Sequence, residues 1–220
     1  MELLKKVELL KEFEVKASFY NVRLNDYLFE CRNQARIRRK GISKEEYDAV
    51  FILCNPGSCK STSNIREWDP RKDCIPFVTA DSDQTQEQIM RLMVIKQWDQ
   101  VNIINISDIC SGNIEEFRRK LSKANRVSFS YHSIFSNERN HELLDIFRLN
   151  KGPIIAGWGK RTFMKNELIE VLASDNLKNI KGWKNATHPY YYHPFLRIPN
   201  KNKEWLIKVN EQLSKEKTIG

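Results

Sequence analysis

Val50-Phe51-Ile52-Leu53-Cys54 is an unbroken apolar run that stops abruptly at Asn55-Pro56-Gly57-Ser58. A run this short, closed by Pro and Gly, predicts a central strand that hands a polar amide to the carboxyl edge of a sheet. In open α/β sheets ligands bind at that edge. A second delivery lies far downstream, at Thr187-His188-Pro189-Tyr190. Two polar groups presented after two strands read as opposite walls of one cleft.

The rest of the chain fits around that strand. Val101-Asn102-Ile103-Ile104-Asn105-Ile106 predicts a second strand and Pro153-Ile154-Ile155-Ala156-Gly157 a third, with a short fourth within 180–187. Helix-length segments separate them: a helix from an Asp83 cap to Gln97, one from an Asn113 cap to about Arg126, one over 138–149, and one from Gly159 to Ala173. The tail reads as a helix capped by Asn200, with Trp205, Val209 and Leu213 on one face. Parallel crossovers of this kind predict a three-layer α/β/α sandwich around a mostly parallel four-stranded sheet spanning 45–220. Residues 1–44 are expected to form a basic helical extension, with a short helix over 2–12 and a second over 23–39. The polar stretch from Ser58 to Ser82 is long enough to be a functional loop.

Composition bounds the partners. The formal charge is +9, from 37 Lys and Arg against 28 acids, and nucleic acid is the partner that such a field favours. Arg32, Arg36, Arg38, Arg39 and Lys40 crowd one stretch; Arg118, Arg119, Lys120, Lys123 and Arg126 form another. Tyr190, Tyr191, Tyr192 and Phe195 supply stacking faces. No apolar run approaches the roughly 20 residues of a membrane span, and Met1–Val7 lacks a signal-peptide core, so a cytoplasmic location without membrane contact is expected. The cysteines form no Cys-x-x-Cys pair, which argues for free thiols rather than a zinc ribbon.

Several chemistries are excluded. Lys60-Ser61 sits where a phosphate-binding loop would end, but cysteines (Cys54, Cys59) replace both required glycines and Pro56 removes an N–H from the cradle. Ser58 is not in a nucleophile elbow. His188 and His193 are separated by Pro189, which breaks any regular ligand spacing, so no metal is expected and no cofactor either.

The surviving constellation is serial: Asn55 after the first strand, Asn105 in the second, Trp158-Gly159 after the third and His188-Pro189 after the fourth. This order resembles the uracil-DNA glycosylase superfamily. Leu53-Cys54-Asn55-Pro56-Gly57 is similar to the G-I-N-P-G motif of its mismatch-specific branch, without the leading Gly. Asn102 to Ser107 is similar to the base-reading strand, with Asn105 at the reading position, and Ala156 to Thr162 resembles the L-L-W-G-S-Y-A segment. His188-Pro189-Tyr190 is similar to the terminal H-P-S loop, with Tyr for Ser. A closer likeness is to an uncharacterised bacterial family, domain of unknown function 1643, through Asn55-Pro56-Gly57, Asp83-Gln84-Thr85, Asn105, Trp158-Gly159 and His188-Pro189-Tyr190.

The resemblance implies a DNA glycosylase-type hydrolase that cleaves the N-glycosidic bond of an extruded modified or mismatched base, such as a modified base of phage DNA. Asn55 and His188 would be catalytic, the amide orienting water and the imidazole donating to the base carbonyl. Asn105, Pro56, Gly57, Phe77 and Tyr190 would hold the base. Ser58, Lys60, Arg36, Arg38, Arg39, Lys160 and Arg161 would meet the backbone of duplex or single-stranded DNA. An amide cannot titrate, so Asn55 leaves open a non-catalytic nucleic-acid or nucleotide-binding module that keeps the fold. Asp83 reads as a helix cap before it reads as a catalytic acid.

Overall fold

The computed structural model describes residues 3–57, 65–173, 177, 179–186 and 190–214. Its centre is a six-stranded mixed sheet in the order β4-β1-β2-β5-β3-β6. The strands are β1 (Phe13–Leu24), β2 (Tyr27–Arg39), β3 (Ala49–Leu53), β4 (Phe77–Thr79), β5 (Gln100–Asn105) and β6 (Ile154–Ala156). β3 runs parallel to both β5 and β6, whereas β2 pairs antiparallel with β1 and β5, and β4 antiparallel with β1. The chain is therefore α/β, but the mostly parallel four-stranded sheet is corrected to a six-stranded mixed one with two parallel and three antiparallel pairings.

The correction comes from the first 40 residues. The helical extension expected over 1–44 is instead a short helix, α1 (Lys6–Glu12), followed by the long β1–β2 hairpin. Phe13, Val15, Ala17 and Phe19 alternate with Glu14, Lys16 and Ser18, the period of a strand. Asn25, held at φ +51°, closes a two-residue turn between Leu24 and Tyr27. One residue then disturbs the pattern. Ser18 pairs with Gln34 but Phe19 pairs with Arg32, so Asn33 is an extra residue, a β-bulge.

Helices cover both faces. α2 (Gln84–Lys96) and α6 (Pro199–Ser214) join α1 over one core, built on Val15, Ala35, Ile37, Phe51, Leu53, Val101 and Ile103. α3 (Ile114–Arg126), α4 (Asn140–Leu149) and α5 (Lys165–Ala173) cover the other, built on Tyr20, Cys31, Val50, Ile52 and Ile104. Every residue of β3 is buried, as a strand covered on both faces requires. Asp83 caps α2 by accepting from the N–H groups of Thr85 and Gln86, and Asn113 caps α3 through Glu115 and Glu116. Asn200 is not a cap; α6 starts at Pro199, whose missing N–H suits the first helical turn. Over the described part of 180–187 there is no fourth parallel strand, only single bridges at Lys181 and Lys184. Gly182, at φ +138°, turns the chain tightly against β6, where a Cβ would lie 2.5 Å from the Ala156 carbonyl oxygen.

A polar network runs through the α4 side of the core. Arg139 and Asp108 are fully buried and form an ion pair at 2.5 Å. Tyr20 donates to Asp108 at 2.8 Å; Arg139 also reaches Asn33 at 2.6 Å and Glu142 at 2.8 Å. Asn33 and Gln34 both donate to Glu142, which two consecutive strand residues can do only because of the bulge. Nearby, burial lowers the His132 imidazole from 6.5 to about 4. The folded protein thus binds this proton less readily than the unfolded chain does. Its contribution to stability is complete above about 6.5 and is lost as the pH falls towards 4. Replacing His132 with Gln removes roughly 2–3 kcal/mol of acid sensitivity between neutral pH and about 4.5. Melting curves of the two proteins across that range are expected to converge as the pH drops.

Candidate functional site

The parallel strands β3, β5 and β6 all end at the same edge of the sheet, and a cleft of about 630 Å³ opens there on the α2 side. The turn after β3 forms one wall through Asn55, Pro56 and Gly57. Gly57 needs its φ of +68° to make that turn. Asn55 donates from Nδ2 to the Ser111 carbonyl at 2.8 Å, which ties the turn to the loop before α3. Among the described residues nothing donates to its Oδ1, which leaves that atom available to a water.

The amino ends of two helices face the same space, through Gln84–Gln86 of α2 and through Asn113 and Ile114 of α3. Asp83 serves two directions. Its Oδ1 accepts from the N–H groups of Thr85 and Gln86, both at 2.9 Å, while Oδ2 lies beside the Gly57 turn, 3.4 Å from where a Cβ there would be. Asp83 is the one carboxylate among the described lining residues.

The opposite wall comes from the segment after Lys184. Tyr191, Tyr192 and His193 line the cleft, with Tyr191 packed edge-on against buried Trp158 at 5.2 Å. His193 is half-buried, with Nδ1 2.9 Å from the Phe195 carbonyl oxygen. When Nδ1 donates there, Nε2 presents a lone pair. Burial lowers the His193 pKa below its ordinary value and Arg161 adds to this, against the opposing pull of the Phe195 carbonyl and of Asp83, so the imidazole is neutral at physiological pH. Arg161 is half-buried, and its Nε has no partner among the described residues; Lys160 and Arg197 are exposed at the rim.

Arg32 lies at the floor and is 2% exposed. The bulge at Asn33 directs it there. Regular alternation from Ala35 and Ile37 would turn it to the α4 side, but the added residue turns it towards α2. Its Nη1 donates to the Pro56 carbonyl at 3.2 Å. With the Asn105 amide oriented to satisfy its neighbours, its oxygen accepts from Arg32 Nη2 at 3.3 Å and its nitrogen donates to the Asn55 carbonyl at 3.2 Å.

Set against the known proteins, the chain stands apart. It matches no family model, no curated protein and no solved structure. What can be compared is the expected site with the observed one.

Asn55, Pro56, Gly57, Lys160 and Arg161 share the cleft. Asn105 does not line it; fully buried at the end of β5, it supports Arg32 from beneath. Tyr190 and Tyr191 are both buried in the α3–α5 core, but Tyr190 does not line the cleft, whereas Tyr191 and the half-buried Tyr192 do. Phe77 does not line the cleft: it sits on edge strand β4 under the Arg36 guanidinium, 3.8 Å from its ring centroid. Arg36, Arg38 and Arg39 do not line the cleft either. Arg36 stacks on Phe77, Arg38 pairs with Glu14 at 2.6 Å, and Arg39 pairs with Glu12 and Asp99, at the end of β2 remote from the cleft. Ser58, Lys60 and His188 lie outside the described residues. Arg32, His193 and Arg197 were not anticipated; a break in strand alternation at Asn33 is the signal that could have found Arg32.

No described helix is long and apolar enough to cross a membrane.

Proposed function

We propose that this cleft receives a nucleotide unit extruded from DNA and hydrolyses its N-glycosidic bond. The observation that carries the reading is the meeting of Asn55, Asp83 and His193 on a single cleft, with flat aromatic walls and a cationic rim. A planar base fits between the Tyr191 and Tyr192 side and the Asn55 turn, while Lys160 and Arg197 meet the flanking phosphates. Water adds to C1′ as the C1′–N bond breaks, and the electron pair of that bond leaves on the base. Asp83 Oδ2 accepts the water proton, and Asn55 Oδ1 orients the same water. A carboxylate beside the Gly57 end of the Asn55 turn supplies the base that the amide cannot be.

Duplexes bearing damaged, mismatched and phage-type bases, scored for abasic sites, test the reading. At least one of them is expected to yield abasic sites, and a uniformly negative panel sinks the hydrolytic step.

A nucleic-acid-binding module without chemistry is the second reading, favoured by the excess of cations. Arg118 and Arg126 border a second cavity of about 430 Å³ beside Phe163, extending the basic surface beyond the main cleft. In either case DNA affinity should fall steeply with salt, by at least about tenfold between low and physiological ionic strength. An isotherm that does not move with salt speaks against a phosphate-bearing partner.

A further inference from the structure

Among the described residues, nothing answers the positive charge of Arg32. Its contacts are two neutral oxygens, those of Pro56 and Asn105, and its Nε has no hydrogen-bond partner. Among the described residues no carboxylate pairs with it. Removing a guanidinium from water without a counter-charge costs free energy, and a hydrocarbon side chain would avoid that cost. A chain that keeps such a group at the floor of an open cleft has placed it for an incoming negative charge.

We propose that Arg32 is the seat for the charge of the leaving base, a proposal that rests on the N-glycosidic reading. When the C1′–N bond breaks, its electron pair spreads over the ring onto the carbonyl oxygens. A fixed, desolvated guanidinium at that point is worth far more than one in water. The depth favours a ring over a phosphate. Lys160 and Arg197 stand exposed at the rim, where a polymer backbone stays, whereas Arg32 is 2% exposed in the lining of the same cleft. Because guanidinium has donors and no acceptor, it selects ring edges bearing carbonyl oxygens and rejects amino edges. Asn105, which accepts from Nη2, is a positioning residue for this fork.

The test is equilibrium binding, without turnover. Barbiturate is a planar ring with uracil's carbonyl edge and is an anion at neutral pH; uracil is its neutral counterpart. Calorimetric titration of the whole protein is expected to show barbiturate binding about tenfold tighter than uracil, with cytosine weaker than either. In Arg32→Met that preference disappears, while the melting temperature of the unliganded protein does not fall, because an unanswered buried charge has been removed. Should Arg32→Met fail to fold, Arg32→Lys keeps the charge and loses the fork, and its barbiturate affinity is expected to drop about tenfold. No preference in the wild type, a preference that survives in Arg32→Met, or unchanged affinity in Arg32→Lys each overturns the assignment. Inorganic phosphate displacing barbiturate at equal concentration overturns it too, since the floor would then be a phosphate seat. Barbiturate preference without abasic sites on any duplex supports the charge seat and removes the hydrolytic reading; abasic sites without the preference remove the charge seat alone.

Discussion

Asp83→Asn is expected to lower turnover by at least about 100-fold on any duplex that the wild type cleaves, with little change in KM. The substitution isolates chemistry from structure because Asn caps a helix about as well as Asp. Its side-chain oxygen can still accept from the N–H groups of Thr85 and Gln86, the two bonds that start α2. What is lost is the second carboxylate oxygen beside Gly57, and with it the capacity to take a proton from water. The exchange also removes a negative charge from a helix amino end, worth about 0.3–1 kcal/mol, so the melting temperature should move by only a few degrees. Single-turnover rates beside thermal melts check both halves. Full turnover in Asp83→Asn would show that the carboxylate is only a cap.

The largest effect on stability is expected from Arg139→Met. The change strips Asp108 of its ion pair and leaves acceptors on Asn33, Glu142 and Tyr131 without the guanidinium. Breaking a buried pair from one side typically costs about 3–5 kcal/mol, because the remaining charge has lost its answer. For a chain of this size that is roughly 10 °C in melting temperature. The pH dependence identifies the cause. Burial already pushes the Asp108 carboxyl up to about 7 against the pull of Arg139 and Tyr20, and without Arg139 it rises further. A raised carboxylate contributes stability at low pH that is lost as the pH climbs through its folded value. The deficit of Arg139→Met should therefore widen only above about pH 7, where the wild-type carboxyl is already ionised and the variant's is not, and a deficit that stays flat from about 6 to 9 would point to lost packing instead. Both proteins can be followed by denaturant melts across that range.

The two predictions rest on parts of the chain that were not equally legible. The strand Ala49–Leu53 and the turn at Asn55–Gly57 follow from an apolar run and a Pro-Gly stop, and the caps at Asp83 and Asn113 follow from a polar residue before a periodic segment. Each is a local signal. The hairpin was hidden because its alternation breaks at Asn33, and the charges of 32–39 then mimic the polar face of a basic helix. β1 and β2 were missed for that reason, whereas β4 lies in the polar stretch Ser58–Ser82 that reads as a loop. In the cleft, Asn55 and Arg161 come from strand ends and are readable as such. Arg32 is not, because an arginine in a basic stretch looks solvated until the pairing of two distant strands is known. His193 is similar, since Pro194 gives no regular frame from which its direction could be read.

The doubled position on β2 has a consequence for how this protein can vary. A chain shortened by residue 33 would restore an even pleat yet keep its neighbouring arginine pointing towards α2, because the phase before and after the deletion would agree. What it would forfeit is the link from the hairpin to Arg139. The loss would fall on the layer across the sheet from the cleft, so an indel at one strand position could loosen the scaffold while sparing the cavity floor.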